Sequence, residues 1–297
     1  MRHPHPIPYQ GSKRNLASAI LAIVAGRAVQ RLYEPFAGSP AITIAAASTR
    51  VSVEHIIADS LDPLIALWSR ILSAPSDLAD AYERVWKGHE RGGDDYYTRV
   101  RERFNAKRDP ADLLYLLARC VKNSPRWNRD GHFNQSADLR RLGMQPQKMR
   151  RELIGTHDVL RGKTTAIAGD FEQTIADAHP CDLVYMDPPY EGTSGSRDTR
   201  YHQGLARERL IVALDDLNRR DVPWLLSYDG RCGEKTYGSP LPKELGATRL
   251  EIDAGRSSQA TLNGHAATTF ESLYVSQNLV GARLSTAKPQ LTFSAVA

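Results

Sequence analysis

The chain is poor in cysteine and has no long apolar run. Its three cysteines, Cys120, Cys181 and Cys232, lie far apart in 297 residues. They form no CxxC pair, so the pattern supports neither a zinc site nor a disulfide framework, and the thiols read as structural groups in a reducing compartment. No stretch approaches the length of a membrane-spanning helix. Residues 1–9 are polar and proline-rich and carry no apolar signal core. The expectation is a cytoplasmic protein with no membrane partner. No internal repeat is present. The turn Pro35-Phe36-Ala37-Gly38-Ser39 is neither GxGxxG nor a P-loop, so a dinucleotide or triphosphate ligand is poorly supported.

Hydrophobic residues make up 41% of the chain, and its length suits one large domain or a domain with an insertion. A net charge of +5 and an isoelectric point near 9.1 admit a polyanionic partner. The distribution says more. Residues 119–163 hold eleven Lys or Arg against four Asp or Glu, an excess of seven that surpasses that of the whole chain. A solvated charged face would explain many such runs, but one basic block on a near-neutral remainder fits a nucleic-acid footprint better.

The apolar periodicity predicts an alternating α/β pattern. Residues 17–25 read as a helix, 31–34 as a strand running into the turn at Pro35, 42–48 as a helix, 51–58 as a strand ending at Asp59, and 63–72 as a helix. This is the signature of a parallel sheet with helices on its faces. Between 74 and 162 the alternation stops. Helices are expected at 97–104 and 110–121, and a polar loop at 122–147. Alternation then resumes with a strand at 165–168, a short helix at 172–178, a strand at 183–186, a polar loop at 191–202, an amphipathic helix at 208–219 with Leu210, Ile211, Leu214 and Leu217 on one stripe, and strands at 223–227, 248–253 and 269–276. The expected division is a core of residues 1–73 and 163–285, an inserted domain of residues 74–162, and a tail of residues 286–297.

The most informative residues are Asp187-Pro188-Pro189-Tyr190. They follow an apolar run that reads as a buried strand. The prolines fix φ and remove two backbone donors, and Pro188 keeps Asp187 out of helical geometry. The result is a rigid corner with a carboxylate, carbonyl acceptors and a π-face, suited to a planar base bearing an exocyclic amino group. An ordinary strand-to-loop turn is the alternative for the tetrapeptide alone. In an open parallel sheet, however, ligands collect at the carboxyl ends of the strands. Four such ends here carry small or polar residues: the Phe36–Ser39 turn, Asp59, Asp170 and Asp187. Asp59 could accept from ribose hydroxyls or serve as a helix N-cap. Asp170 could accept the amino group of an adenine ring with Phe171 packed on it, or likewise be an N-cap. Lys13, in Tyr9-Gln10-Gly11-Ser12-Lys13, is either a surface lysine or the clamp for a ligand carboxylate, helped by helix N-terminal amides. An adenosine site that wants a carboxylate clamp and has no phosphate loop points to S-adenosylmethionine.

Tyr9-Gln10-Gly11-Ser12-Lys13, Glu34-Pro35-Phe36-Ala37-Gly38, Ile57-Ala58-Asp59 and Asp187-Pro188-Pro189-Tyr190 stand in the order found in Dam-like DNA adenine methyltransferases. Arg126-Trp127-Asn128 with Gly131-His132-Phe133-Asn134 resembles that family's target-recognition domain. The stretch from Arg256-Ser257-Ser258 to Glu271-Ser272-Leu273-Tyr274 resembles the family as well. The resemblance spans nearly the whole chain, and the ordered set is specific although each piece is weak. It departs at Ser39-Pro40, where a second glycine is often found, and over most of the insertion.

The resemblance implies a Rossmann-like methyltransferase core with an inserted, mostly helical target-recognition domain, acting on double-stranded DNA. It implies S-adenosylmethionine against Tyr9, Gln10, Gly11, Ser12 and Lys13, against Pro35, Phe36, Ala37, Gly38 and Ser39, and against Asp59, Ser60, Asp170, Phe171 and Asp187. It also implies catalysis by Asp187, Pro188, Pro189 and Tyr190 on the amino group of a flipped adenine, with no metal. Methylation of the cytosine amino group fits the same corner. Attack at a cytosine ring carbon needs a thiol, and Cys181 sits before its strand, at the end opposite Asp187. RNA or protein amides, and a non-catalytic DNA-binding role, are the remaining alternatives. For DNA contacts, Arg126, Asn128, Arg129, Asn134, Arg140 and Arg141 have side chains able to read base edges, while Lys122 and Lys148 suit phosphates. Closure of the 191–202 loop over the base is a further expectation. A homodimer and a cognate restriction nuclease stay open as partners.

Overall fold

The computed structural model describes residues 3–93, 95–189, 206–232, 235–256 and 268–280. Its first half alternates as the sequence suggests: α1 (Ala17–Ala22), β1 (Val29–Glu34), α2 (Ala41–Thr49), β2 (Ser52–Asp59) and α3 (Asp62–Ser73). Four helices follow, α4 (Pro75–Gly92), α5 (Tyr96–Lys107), α6 (Pro110–Arg119) and α7 (Pro146–Leu160). Alternation returns with β3 (Thr164–Ala168), α8 (Phe171–Ile175), β4 (Leu183–Met186), α9 (Arg207–Arg219), β5 (Trp224–Cys232), β6 (Lys235–Tyr237), β7 (Thr248–Arg256), β8 (Thr268–Val275) and α10 (Gln277–Val280).

Among the described residues the strands form one sheet in the order β3-β2-β1-β4-β5-β8-β7, with β6 paired to β5. The first five run parallel, and β8 lies antiparallel between β5 and β7. Each strand buries alternate residues on opposite faces. In β4, which is buried throughout, Leu183 and Tyr185 join α1 and α2 on one face. Val184 and Met186 join α8 and α9 on the other. A central strand covered on both faces must be apolar throughout, which is why this run was conspicuous in the sequence. The chain order reverses between β1 and β4, and such a switch point opens a crevice at the carboxyl ends of the two strands.

Helices α4 and α7 were not individually expected, and β5 is longer than the strand expected at 223–227. Both helices open with proline in the first turn, a position where its missing N–H costs nothing. Their apolar stripes, Leu78, Ala79 and Tyr82 in α4 and Met149, Leu153 and Leu160 in α7, are buried. The expected loop at 122–147 overlaps the start of α7 by two residues and otherwise lies between helices. The helical segment does not bury its apolar surface alone. One cluster joins it to Leu64, Leu67 and Trp68 of α3, to Ile57 of β2 and to Ile7. Among the described residues no helix is long and apolar enough to cross a membrane.

Glu34 ends β1 and is buried. It accepts from the Thr43 amide at 2.8 Å and the Thr43 hydroxyl at 2.5 Å. Pro40, the cap residue of α2, makes no side-chain cap, so Glu34 supplies across the chain the acceptor that an N-terminal turn needs. Burial pushes the Glu34 carboxyl up from 4.5 to about 7, against the opposing Thr43 hydrogen bonds and with help from Asp187. The folded protein therefore holds a proton that the unfolded chain has released between those values, and stability falls as pH rises through that window. Glu34→Gln should remove this loss. Denaturant unfolding of both proteins at pH 5 and pH 8 should show the wild type losing, relative to the variant, on the order of 3 kcal/mol. A difference independent of pH would show that Glu34 does not titrate in this range.

Candidate active site

The turn after β1 is built by its neighbours. Gly38 has φ +49°, and a Cβ there would lie 3.6 Å from the Tyr9 ring. The Ala37 amide donates to the Ala58 carbonyl at 2.8 Å. The Trp68 indole donates to the Gly38 carbonyl at 3.0 Å. Asp59 accepts from the Gly38 amide at 3.1 Å and the Leu61 amide at 3.0 Å. The N-cap of α3 is Leu61 rather than Asp59, so the helix-cap alternative for Asp59 gives way to a different structural role, tying the turn after β1 to the end of β2. Burial raises the Asp59 carboxyl, with those two amides opposing.

Asp170 is the N-cap of α8, accepting from the Glu172 amide at 3.0 Å. Phe171 is buried and stacks on Phe36, with ring centroids 5.1 Å apart and planes inclined by 29°. Arg209, from the first turn of α9, donates to Asp170 Oδ1 at 2.8 Å and lies over the Phe171 ring.

Lys13 is the centre of the site. It is 6% exposed, and its Nζ donates to both oxygens of Asp187 at 2.8 Å and to the Gly11 carbonyl at 3.1 Å. Glu271 of β8 lies 3.4 Å away. Burial by itself would lower the Lys13 ammonium; the Asp187 and Glu271 carboxylates outweigh it and raise it above its ordinary value. The surface-lysine reading is thus overturned, and the carboxylate that Lys13 clamps here is Asp187's.

These parts border one cavity of about 410 Å³. Every residue expected around the donor lines it, as do Pro188 and Pro189 of the corner expected to be catalytic. Tyr190 and the 191–202 loop lie outside the described residues. Sequence reasoning missed Glu34, Arg209 and Glu271. Glu271 stood in a stretch already singled out, and an acid on a strand beside β5 was the available signal. Cys181 is exposed and precedes β4, at the end opposite Asp187, as expected. Among the described residues no group of three or more His, Cys, Asp or Glu could hold a metal ion.

The basic block reaches the rim of the cavity. The Gln10 amide donates to the Asn123 carbonyl at 2.9 Å, and Ser124, Pro125 and Trp127 line the cavity wall. Residues 126–134 form a tight loop, closed by bonds from the Asn134 amide to the Arg126 carbonyl and from the Asn128 amide to the His132 carbonyl. Trp127 and Phe133 point inward in edge contact with each other and with Phe104, and Asn105 brackets Phe133 with two backbone bonds. Arg126, Arg129 and Asn134 are exposed, as are Lys122 and Lys148. Two residues expected to read bases are otherwise engaged. The Asn128 side chain accepts from the Asp130 and His132 amides, and Arg141 is held by Asp138, Asn123 and the Cys120 carbonyl. Arg140 also pairs with Asp138 but stays largely exposed.

The chain is similar to several known proteins. The chain is 30% identical over 185 residues to the retron Ec67 DNA adenine methylase of Escherichia coli, covering 58% of this chain and 61% of that protein. It is 26% identical over 211 residues to the DNA N-6-adenine-methyltransferase of Escherichia phage P1, covering 68% of this chain and 27% of that protein. It therefore spans less than two thirds of either. With the type II methyltransferase M1.LlaDCHI of Lactococcus lactis subsp. cremoris the match is 26% over 253 residues, covering 80% and 82%. The model of the D12 class N6 adenine-specific DNA methyltransferases matches residues 9–279, and the chain, with its Rossmann-like sheet, belongs to that family.

Proposed function

We propose that the protein transfers a methyl group from S-adenosylmethionine to the exocyclic N6 of an adenine flipped out of double-stranded DNA. The observation that carries this reading is Asp187, held by Lys13 at the end of β4, in the wall of the cavity that also presents Asp59, Asp170 and Phe171. The donor fits the residues present. Asp59 offers a half-buried carboxylate for ribose hydroxyls, Phe36 and Phe171 offer an apolar wall for a purine, and no phosphate loop is needed. When bound, it supplies an electrophilic methyl on a sulfonium.

The base must leave the stack to be reached, at a cost of a few kcal/mol. The Asp187 carboxylate and the Pro188 carbonyl would accept the two amino hydrogens and turn the nitrogen lone pair toward the donor methyl; the N–C bond would form as the C–S bond breaks, the thioether S-adenosylhomocysteine leaving and the surplus amino proton passing to solvent. Tyr190 would stack on the base. Residues 74–162 would serve as the target-recognition segment, with Arg126 and Asn134 the foremost candidates for base contacts.

Asp187→Asn keeps the size of the side chain and weakens the acceptor. Methyl incorporation into DNA should fall roughly hundredfold or more, the scale of removing a group aimed at a transition state. Full activity of the variant would remove Asp187 from the mechanism. Arg126→Ala should relax discrimination at one base position by about 1–3 kcal/mol; equal weakening on all sequences would make Arg126 a phosphate contact.

A further inference from the structure

Arg209 lies on the amphipathic helix α9, yet it faces the cavity. Its Nη2 lies 2.8 Å from Asp170 Oδ1 and 3.0 Å from Glu172 Oε2, and its Nε donates to Glu172 Oε1 at 3.0 Å. Its guanidinium carbon sits 5.2 Å from the centre of the Phe171 ring, which also stacks on the Phe36 ring. Arg209, Phe171 and Phe36 thus form a continuous stack along one wall. The ion pair is close to half exposed, with side chains 46% and 38% accessible. Exposed pairs of this kind add little to folding. The fork geometry of the guanidinium is better suited to fixing orientation.

We propose that Arg209 is a positioning residue that selects the 6-amino group of the donor's purine. Arg209 and the Glu172 amide both bond Asp170 Oδ1, and Oδ2 makes no hydrogen bond to the protein among the described residues. The carboxylate is thereby turned so that one oxygen is satisfied by the protein and the other is left to accept. A 6-amino group donates to that oxygen; a 6-keto group would set two acceptors against each other. Arg209 also packs over the Phe171 ring, so ring and acceptor are set by one side chain. This inference rests on the reading of the cavity as the donor site.

The test uses the full chain and two probes, S-adenosylhomocysteine and its 6-keto analogue S-inosylhomocysteine, with calorimetric titration. Wild type should prefer the amino compound. Arg209→Met, which keeps an apolar stem over Phe171, should bind it roughly tenfold more weakly or worse, the scale of a charge-assisted hydrogen bond. Its preference over the keto analogue should shrink, its KM for the donor should rise, and kcat at saturating donor should hold. Arg209→Lys should recover part of the loss. Equal weakening toward both probes, or wild-type affinity in Arg209→Met while Asp170→Asn loses it, would overturn the role of Arg209 and leave the donor-site reading standing. No effect from Arg209→Met, Asp170→Asn or Phe171→Ala would overturn both.

Discussion

A lysine taken out of water between two carboxylates is the constraint on which the rest of the structure depends. Desolvating Lys13 is costly, and the gain from Asp187 and Glu271 has to exceed that cost for the ammonium to stay charged. A buried ion pair is seldom the most stable solution, since apolar residues of equal volume often do as well. Its physical benefit here is placement. Lys13 comes from the N-terminal segment, Asp187 from the end of β4, and Glu271 from β8. One ammonium joins three distant parts of the chain and fixes both oxygens of the carboxylate on which the proposed chemistry rests. Removing Lys13 would leave two partly buried carboxylates uncompensated, a loss on the order of 3–5 kcal/mol.

Around this centre, polar groups of the sheet's carboxyl edge brace one another rather than the solvent. Asp59 holds the turn after β1 by its amide, Trp68 holds it by its carbonyl, and Glu34 pins α2 behind it. The turn therefore keeps a small-residue conformation bordering the cavity, with Ser39-Pro40 following Gly38. The helical segment is tied into the same frame through the bond from Gln10 to Asn123 and the shared apolar cluster around Trp68 and Trp127. Its residues Ser124, Pro125 and Trp127 consequently form part of the cavity wall.

Much of this was legible in the sequence because it follows local rules. The β4 run is apolar throughout and is followed by an acid and two prolines, so the strand could be read to the residue. The α/β alternation and the loop-bound acids marked the carboxyl edge. The less legible parts depend on tertiary partners. Lys13 has the same local sequence whether it meets water or Asp187. The alternative roles of Asp59 could not be separated until Gly38 and Leu61 were seen bonded to it. Asn128 and Arg141 have the chemistry of base readers but spend it on turns and on Asp138. Helices α4 and α7 were obscured by their charge, although the spacing of Met149, Leu153 and Leu160 carried the signal.

The most direct test of the account is the chemical identity of the product. Duplex DNA incubated with the protein and S-adenosylmethionine, then digested to nucleosides and read by mass spectrometry, should contain N6-methyladenine as its new base. Methylcytosine in its place would contradict the choice of base, and the absence of any methylated base would contradict the assignment of methyl transfer on DNA to the corner at Asp187.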